Sequence, residues 1–145
     1  MLKKIQKKDL INLIKQFIKF GIVGAINTIL SYLITNINYY LFNLHPQISN
    51  IIAFIITVFI SFMLNSKYVF KPENQNFWKS LIKVYASYSI TGLFLTGILI
   101  YIEEELLGIP HYLATLMNLI ITIPINFILN KFWTYKDNKT KKEDR

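Results

Sequence analysis

Between Lys19 and Lys67 this chain carries no full charge, and that one stretch limits what it can fold into. Two further charge-free stretches run from Val84 to Ile102 and from Leu106 to Asn130. A helix crosses the core of a bilayer with about 20 apolar residues, so the first stretch suits two spans and the others one each. The first divides at "NLHPQ", Asn43 to Gln47, where Pro46 and its polar neighbours signal a tight turn. The pattern predicts an all-α integral membrane protein with four transmembrane helices at about residues 17–42, 47–65, 84–102 and 112–130. No period-two alternation supports strands, and lipid admits only helices or closed barrels.

The sixteen basic residues set an orientation. The N-terminal arm carries Lys3, Lys4, Lys7, Lys8, Lys15 and Lys19. The middle loop carries Lys67, Lys71, Lys79 and Lys83, and the C-terminal end carries Lys131, Lys136, Lys139, Lys141, Lys142 and Arg145. The two other loops hold none, and one holds Glu103, Glu104 and Glu105. Lysine and arginine favour the cytoplasmic side. Both termini and the middle loop are therefore expected in the cytoplasm, in a multi-pass protein of the cell (cytoplasmic) membrane. No small-residue cleavage site follows the charged arm, and the apolar stretch is too long for a removable signal peptide. With no cysteine there is no disulfide framework and no thiolate metal site. A net charge of +8 confined to membrane borders fits topology and anionic lipid, with no nucleic acid as partner.

The chain also repeats itself. A shift of 65 aligns "IITVFISFMLNSKYVFK" (Ile55–Lys71) with "IITIPINFILNKFWTYK" (Ile120–Lys136), and Ile, Ile, Thr, Phe, Leu, Asn and Lys coincide. A shift of 68 aligns "IVGAINT" (Ile22–Thr28) with "ITGLFLT" (Ile90–Thr96). Two matches in the same order imply a duplicated two-helix unit. Each unit would begin and end in the cytoplasm, so the repeats would be parallel, about an axis along the membrane normal. Side by side, the two repeated endings would make one basic, aromatic-lined site at the inner face.

The polar residues inside the spans include Thr57, Ser61, Asn65, Thr91, Asn118, Thr122, Asn126 and Asn130, and none is ionisable. Proton-driven antiport through a carboxylate in a span is disfavoured accordingly. His45 and His111 lie in outer loops with no third partner, which leaves a hydrolase or a metal site almost without support. Asn65 and Asn130 occupy equivalent positions one turn before the Lys/aromatic cluster. Asn126 falls opposite Ser61 and shares a helix face with Asn130. Such amides often do no more than bond neighbouring helices, for about 0.6–2 kcal/mol each. Their placement beside Lys67, Lys83 and Lys131 points further, because an ammonium is a point charge for phosphate and an amide can bind a sugar hydroxyl. Tyr68, Phe70, Trp133 and Tyr135 fit an aromatic belt, and the lysines fit positive-inside topology, without any ligand.

Residues 1–16 read as a cytoplasmic amphipathic arm, with Leu10, Leu13, Ile14 and Phe17 on one face and Asp9 as N-cap. Residues 17–136 form the membrane domain, and 137–145 a charged, disordered cytoplasmic tail. Gly21, Gly24, Gly92 and Gly97 are expected at close helix approaches. Glu103–Glu105 are expected to form a solvated helix end. Four helices enclose little volume, so a homodimer or larger assembly is expected.

The segments "FIKFGIVGAINTILSY" at the first span, "FMLNSKYVF" ending the second and "NFILNKFWTY" ending the fourth resemble the GtrA-like family of small four-helix membrane proteins. The family pattern there is Phe-x-x-x-Gly at the opening, and Asn with a basic residue just ahead of a Trp/Tyr-x-Phe ending. Here Tyr68 stands where Trp is commoner, Lys67 and Lys131 where Arg is frequent, and Tyr135 where the last Phe would be. The resemblance covers nearly everything from Phe17 to Tyr135. It implies a flippase for polyprenyl-phosphate-linked monosaccharide that serves cell-surface glycans such as O-antigen or teichoic acid, rather than an enzyme. Its implied partners are that lipid-linked sugar, membrane lipid and the glycosyltransferases of the same pathway, with no cofactor. On this reading Asn65, Lys67, Phe70, Lys83, Asn126, Asn130, Lys131 and Trp133 bind substrate. The alternative is a non-transporting anchor that recruits a polyprenyl-phosphate glycosyltransferase through its basic face.

Overall fold

A computed structural model describes residues 7–136, all of whose regular structure is helical. The charged tail, residues 137–145, and the first six residues of the arm lie outside the described residues. Four helices are long and apolar enough to cross a membrane: α1 (Lys7–Phe42), α2 (Pro46–Phe70), α3 (Phe77–Leu106) and α4 (His111–Thr134). Large apolar side chains such as Ile22, Ile29, Ile55, Leu116 and Ile120 face outward along them. An apolar surface of that extent is unsuited to water. The chain is a multi-pass membrane protein. It divides into two compact units, Met1–Lys71 and Pro72–Arg145.

The first unit is a hairpin of α1 and α2. Asn43 turns the chain with a left-handed φ of 52°, a conformation Asn tolerates better than most residues. His45 then caps α2, its ring accepting from the Gln47 amide at 3.4 Å. Pro46 follows in the first turn, where a missing N–H costs nothing. The buried face of α2 reads Ser49, Ala53, Thr57, Ser61, Asn65, Val69, one residue every fourth position. These side chains are small or medium, so α1 can approach, and Phe20 and Val23 are its buried contribution. Ser49 and Thr57 satisfy their hydroxyls on the carbonyls of His45 and Ala53, one turn back, at 3.2 and 2.7 Å.

The second unit is a hairpin of α3 and α4. Asn76 caps α3, accepting from the Lys79 amide at 3.1 Å. Gly108, with φ of 65°, ends α3 in the left-handed conformation that glycine adopts freely. Its amide and that of Ile109 return to the carbonyls of Glu104 and Glu103 at 3.1 and 2.8 Å. The buried face of α4 again steps by four, through Ala114, Asn118 and Thr122 to Asn130 and Thr134. Asn126, between them, is half-buried.

Three local expectations need correction. Asp9 is no N-cap, because it sits inside the first described turn of α1. A Cβ built on Gly21, Gly24, Gly92 or Gly97 meets nothing within 4 Å, so these glycines make no close helix approach within their own hairpins. The stepped small residues of α2 and α4 take that role instead. Glu103 is not solvated: it is only 4% exposed, although Glu105 is exposed as expected. The reason is that α3 continues past its apolar stretch to Leu106, which turns Glu103 toward α4.

Candidate functional site

The repeated ending has a repeated backbone. At Asn65 and again at Asn130 the α-helix widens into a π-helical stretch, Asn65–Phe70 in α2 and Asn130–Thr134 in α4. The Lys71 amide closes the first on the Ser66 carbonyl at 3.1 Å, and the Tyr135 amide closes the second on the Asn130 carbonyl at 2.9 Å. Such widened turns occur often at functional sites. Both asparagines are buried, at 1% and 0% exposure. Each donates one turn back: Asn65 Nδ2 to Ser61 Oγ at 3.1 Å, and Asn130 Nδ2 to the Asn126 carbonyl at 2.7 Å. In both, the amide oxygen has no hydrogen-bond partner among the described residues. A buried polar atom left unmet costs about 1–3 kcal/mol. Two unmet acceptors at equivalent places call for an occupant that donates.

In α4 the polar run extends in both directions. Thr122 Oγ1 donates to the Asn118 carbonyl at 2.7 Å, and Asn126 Oδ1 accepts from Thr91 Oγ1 of α3 at 2.7 Å. Asn118 Nδ2 donates to Glu103 Oε2 at 2.8 Å and to the Ala114 carbonyl at 2.9 Å. From Asn118 to Thr134 the stripe is about 24 Å long at 1.5 Å per residue, close to the thickness of a hydrocarbon core.

The charged and aromatic candidates sit within their own hairpins. Lys67 is exposed, its Nζ 5.3 Å from the centre of the Tyr68 ring. Phe70 packs edge-on against Phe20 at 6.1 Å, a structural contact within the first hairpin. Lys83 Nζ donates to the Trp133 carbonyl at 3.1 Å and lies 5.8 Å from the centre of that ring. Lys131 Nζ lies 5.8 Å from the Phe127 ring. The second hairpin thus pairs Lys83 with Trp133 and Asn126 with Asn130, and the first pairs Asn65 with Ser61.

Three features escaped the sequence reading. Thr91 holds Asn126, and Asn118 bonds Glu103. Ser80 Oγ donates to the Thr134 carbonyl at 3.3 Å, joining the start of α3 to the end of α4. The run Asn118, Thr122, Asn126, Asn130, Thr134, spaced by four, was a signal that could have pointed to the first two. His45 and His111 act locally, His45 as the cap of α2 and His111 as the partner of Glu104 at 2.5 Å.

Residues 19–141 match the family model described as the GtrA/DPMS transmembrane domain. The chain belongs to this family. The match to the GtrA/DPMS domain takes in both hairpins from Lys19 onward and every candidate residue above. One relative is named the bactoprenol-linked glucose translocase of Shigella phage SfII. It is 19% identical over 127 residues, which cover 88% of this chain and all of that protein. No solved structure matches the chain.

Proposed function

We propose that this protein is a flippase that carries polyprenyl-phosphate-linked monosaccharide from the cytoplasmic to the outer face of the cytoplasmic membrane, for glycosylation of cell-surface polysaccharide. The observation that carries this reading is the buried polar stripe of α4, with unmet amide oxygens at Asn118 and Asn130. Family membership and the name of the phage relative support it. A sugar-phosphate head is anionic and rich in hydroxyls, and a charge at mid-bilayer costs at least ~3 kcal/mol and on some estimates over ~10. Hydroxyl donors match acceptors that nothing else meets. Asn65, Asn126 and Asn130, with Thr57 and Thr122, replace water around the head group while the prenyl tail stays in lipid. The lysine-rich ends of the hairpins face the cytoplasm and receive the phosphate, with Lys67, Lys83 and Lys131 supplying charge. Movement runs down the gradient that sugar transfer on the outer side maintains, and the protein itself catalyses no bond change.

The test is a sealed-vesicle assay with polyprenyl-phosphate glucose in both leaflets. It follows how fast the inner pool becomes accessible to an outside probe. Wild type should accelerate exchange over empty vesicles, and Asn130→Ala should lose most of that acceleration. No acceleration by wild type, in vesicles where another lipid flippase works, would sink the reading and favour an anchor that recruits a glycosyltransferase.

A further inference from the structure

A small polar pocket opens at the lysine-rich end of the second hairpin, between the loop before α3 and the end of α4. Lys79, Lys83 and Lys136 line it, and no carboxylate does. Lys83 was a sequence candidate, but Lys79 and Lys136 were not. The pocket lies at the start of α3, where the helix dipole favours negative charge. That alone would be a weak reason to assign a ligand.

Two polar groups strengthen it. Thr134, only 2% exposed, lines the pocket, and its hydroxyl has no hydrogen-bond partner among the described residues. Gln75 also lines it, and its Nε2 is a buried donor equally without a partner. The nearby carbonyls are already answered: Lys83 donates to that of Trp133 and Ser80 to that of Thr134. The π-helical end of α4 therefore leaves the Thr134 hydroxyl in the pocket wall without a partner, rather than a row of bare acceptors. What remains is two unmet polar groups, Thr134 Oγ1 and Gln75 Nε2, beside three lysines in a lining without a carboxylate.

We propose that this pocket binds the phosphate group of a lipid phosphate, with Lys79, Lys136 and Lys83 supplying charge and Thr134 and Gln75 supplying directed hydrogen bonds. The inference rests on the flippase reading and moves its phosphate site from Lys67 and Lys131 to these residues. Ammonium groups act as point charges without a fixed fork, so the two neutral donors give the site its geometry. Three ammonium groups also favour a phosphate monoester, which carries about −1.5 to −2 near neutral pH, over a sugar phosphodiester with a single charge. The pocket should bind the sugar-free lipid at least as tightly as the sugar-bearing one.

The test uses the full chain in detergent, titrated with farnesyl phosphate, farnesol and inorganic phosphate. Farnesyl phosphate should bind, and farnesol should bind at least about 100-fold more weakly, since charge-assisted hydrogen bonds dominate the site. Lys79→Ala/Lys136→Ala should weaken farnesyl phosphate about 30-fold, and Thr134→Val about fivefold with unchanged melting. Lys8→Ala/Lys15→Ala removes the same charge from the arm and should matter less than about twofold. Equal loss in that control, or no loss in Thr134→Val, overturns the pocket. Inorganic phosphate as tight as farnesyl phosphate overturns the lipid assignment. Normal translocation by the Lys79/Lys136 variant removes the pocket from transport and leaves the flippase reading standing. Binding without translocation by wild type does the reverse.

Discussion

The two hairpins share a plan and differ in chemistry. Position by position, Ser49, Ala53, Thr57, Ser61, Asn65 and Val69 of α2 correspond to Ala114, Asn118, Thr122, Asn126, Asn130 and Thr134 of α4. Only Asn and Thr at the centre are common to both. Where the first hairpin has Ala53, the second has an amide bonded to a buried carboxylate. Where the first has Val23 and Ser61, the second has the hydrogen-bonded pair Thr91 and Asn126. Where the first has Val69, the second has a threonine with an unmet hydroxyl. Small buried residues at a spacing of four and a π-helical end are what the two hairpins share. The first hairpin's face mainly packs, and the second's carries more polar bonds between side chains at the corresponding positions.

If that division holds, the largest effects on transport belong to the second hairpin. Asn130→Ala should slow vesicle translocation at least about 30-fold, whereas Asn65→Ala should slow it about tenfold, since lost buried hydrogen bonds of 1–3 kcal/mol translate into factors of that order. Circular dichroism and size exclusion should show both variants folded. Equal losses would mean that the two hairpins share the head group evenly, and a larger loss at Asn65 would invert the assignment.

Stability should separate the hairpins next. Glu103→Ala removes the acceptor of Asn118, which keeps only its bond to the Ala114 carbonyl. A cost of about 1–2 kcal/mol is expected, read by thermal unfolding in micelles. Glu103→Gln retains an acceptor and should cost less, and Asn118→Ala should abolish the difference between the two. At the equivalent site of the first hairpin, Ala53→Asn places an amide at a fully buried position with no carboxylate built to receive it. It should destabilise by about 2 kcal/mol or more. A neutral Ala53→Asn would show that the first hairpin tolerates the polar chemistry it lacks.

The four helices were legible because bilayer thickness, absence of charge and one turn at Asn43–Gln47 all constrain the same answer. The likeness of Asn65 and Asn130 was legible because the segments around them, Ile55–Lys71 and Ile120–Lys136, align residue by residue. The buried state of Glu103 was not, since charge patterning says where the apolar stretch stops and not where the helix stops. Nor was the partnership of Thr91 with Asn126, which depends on which α3 residues face α4. The glycines misled for a related reason. Spacing along one helix cannot say whether a bare face meets a neighbour in the same hairpin or points away from it.

Thr91→Val makes the second hairpin resemble the first, because Val23 is the residue that aligns with Thr91. It preserves shape and removes the bond to Asn126 Oδ1. Stability should fall by only about 0.6 kcal/mol, the average for such bonds in membranes. Translocation should fall about threefold, because the Asn126 amide loses its fixed orientation, and each 1.36 kcal/mol corresponds to tenfold. Thr91→Ser should restore both. Unchanged transport in Thr91→Val would leave the Thr91–Asn126 pair a packing device, like its apolar counterpart.

The smallest effects should come from the glycines. A methyl group at Gly21 or Gly24 meets no atom within 4 Å, so Gly21→Ala and Gly24→Ala should change hairpin stability by no more than about 0.5 kcal/mol, as for ordinary surface substitutions. Any shift should be toward stability, because alanine loses less backbone freedom in a helix than glycine. A loss well beyond that, in thermal unfolding at fixed protein concentration, would mean that this face of α1 is covered by something outside its own hairpin. Repeating the measurement across protein concentrations would then identify a second copy as the cover, since only an association between copies makes the melting point depend on concentration.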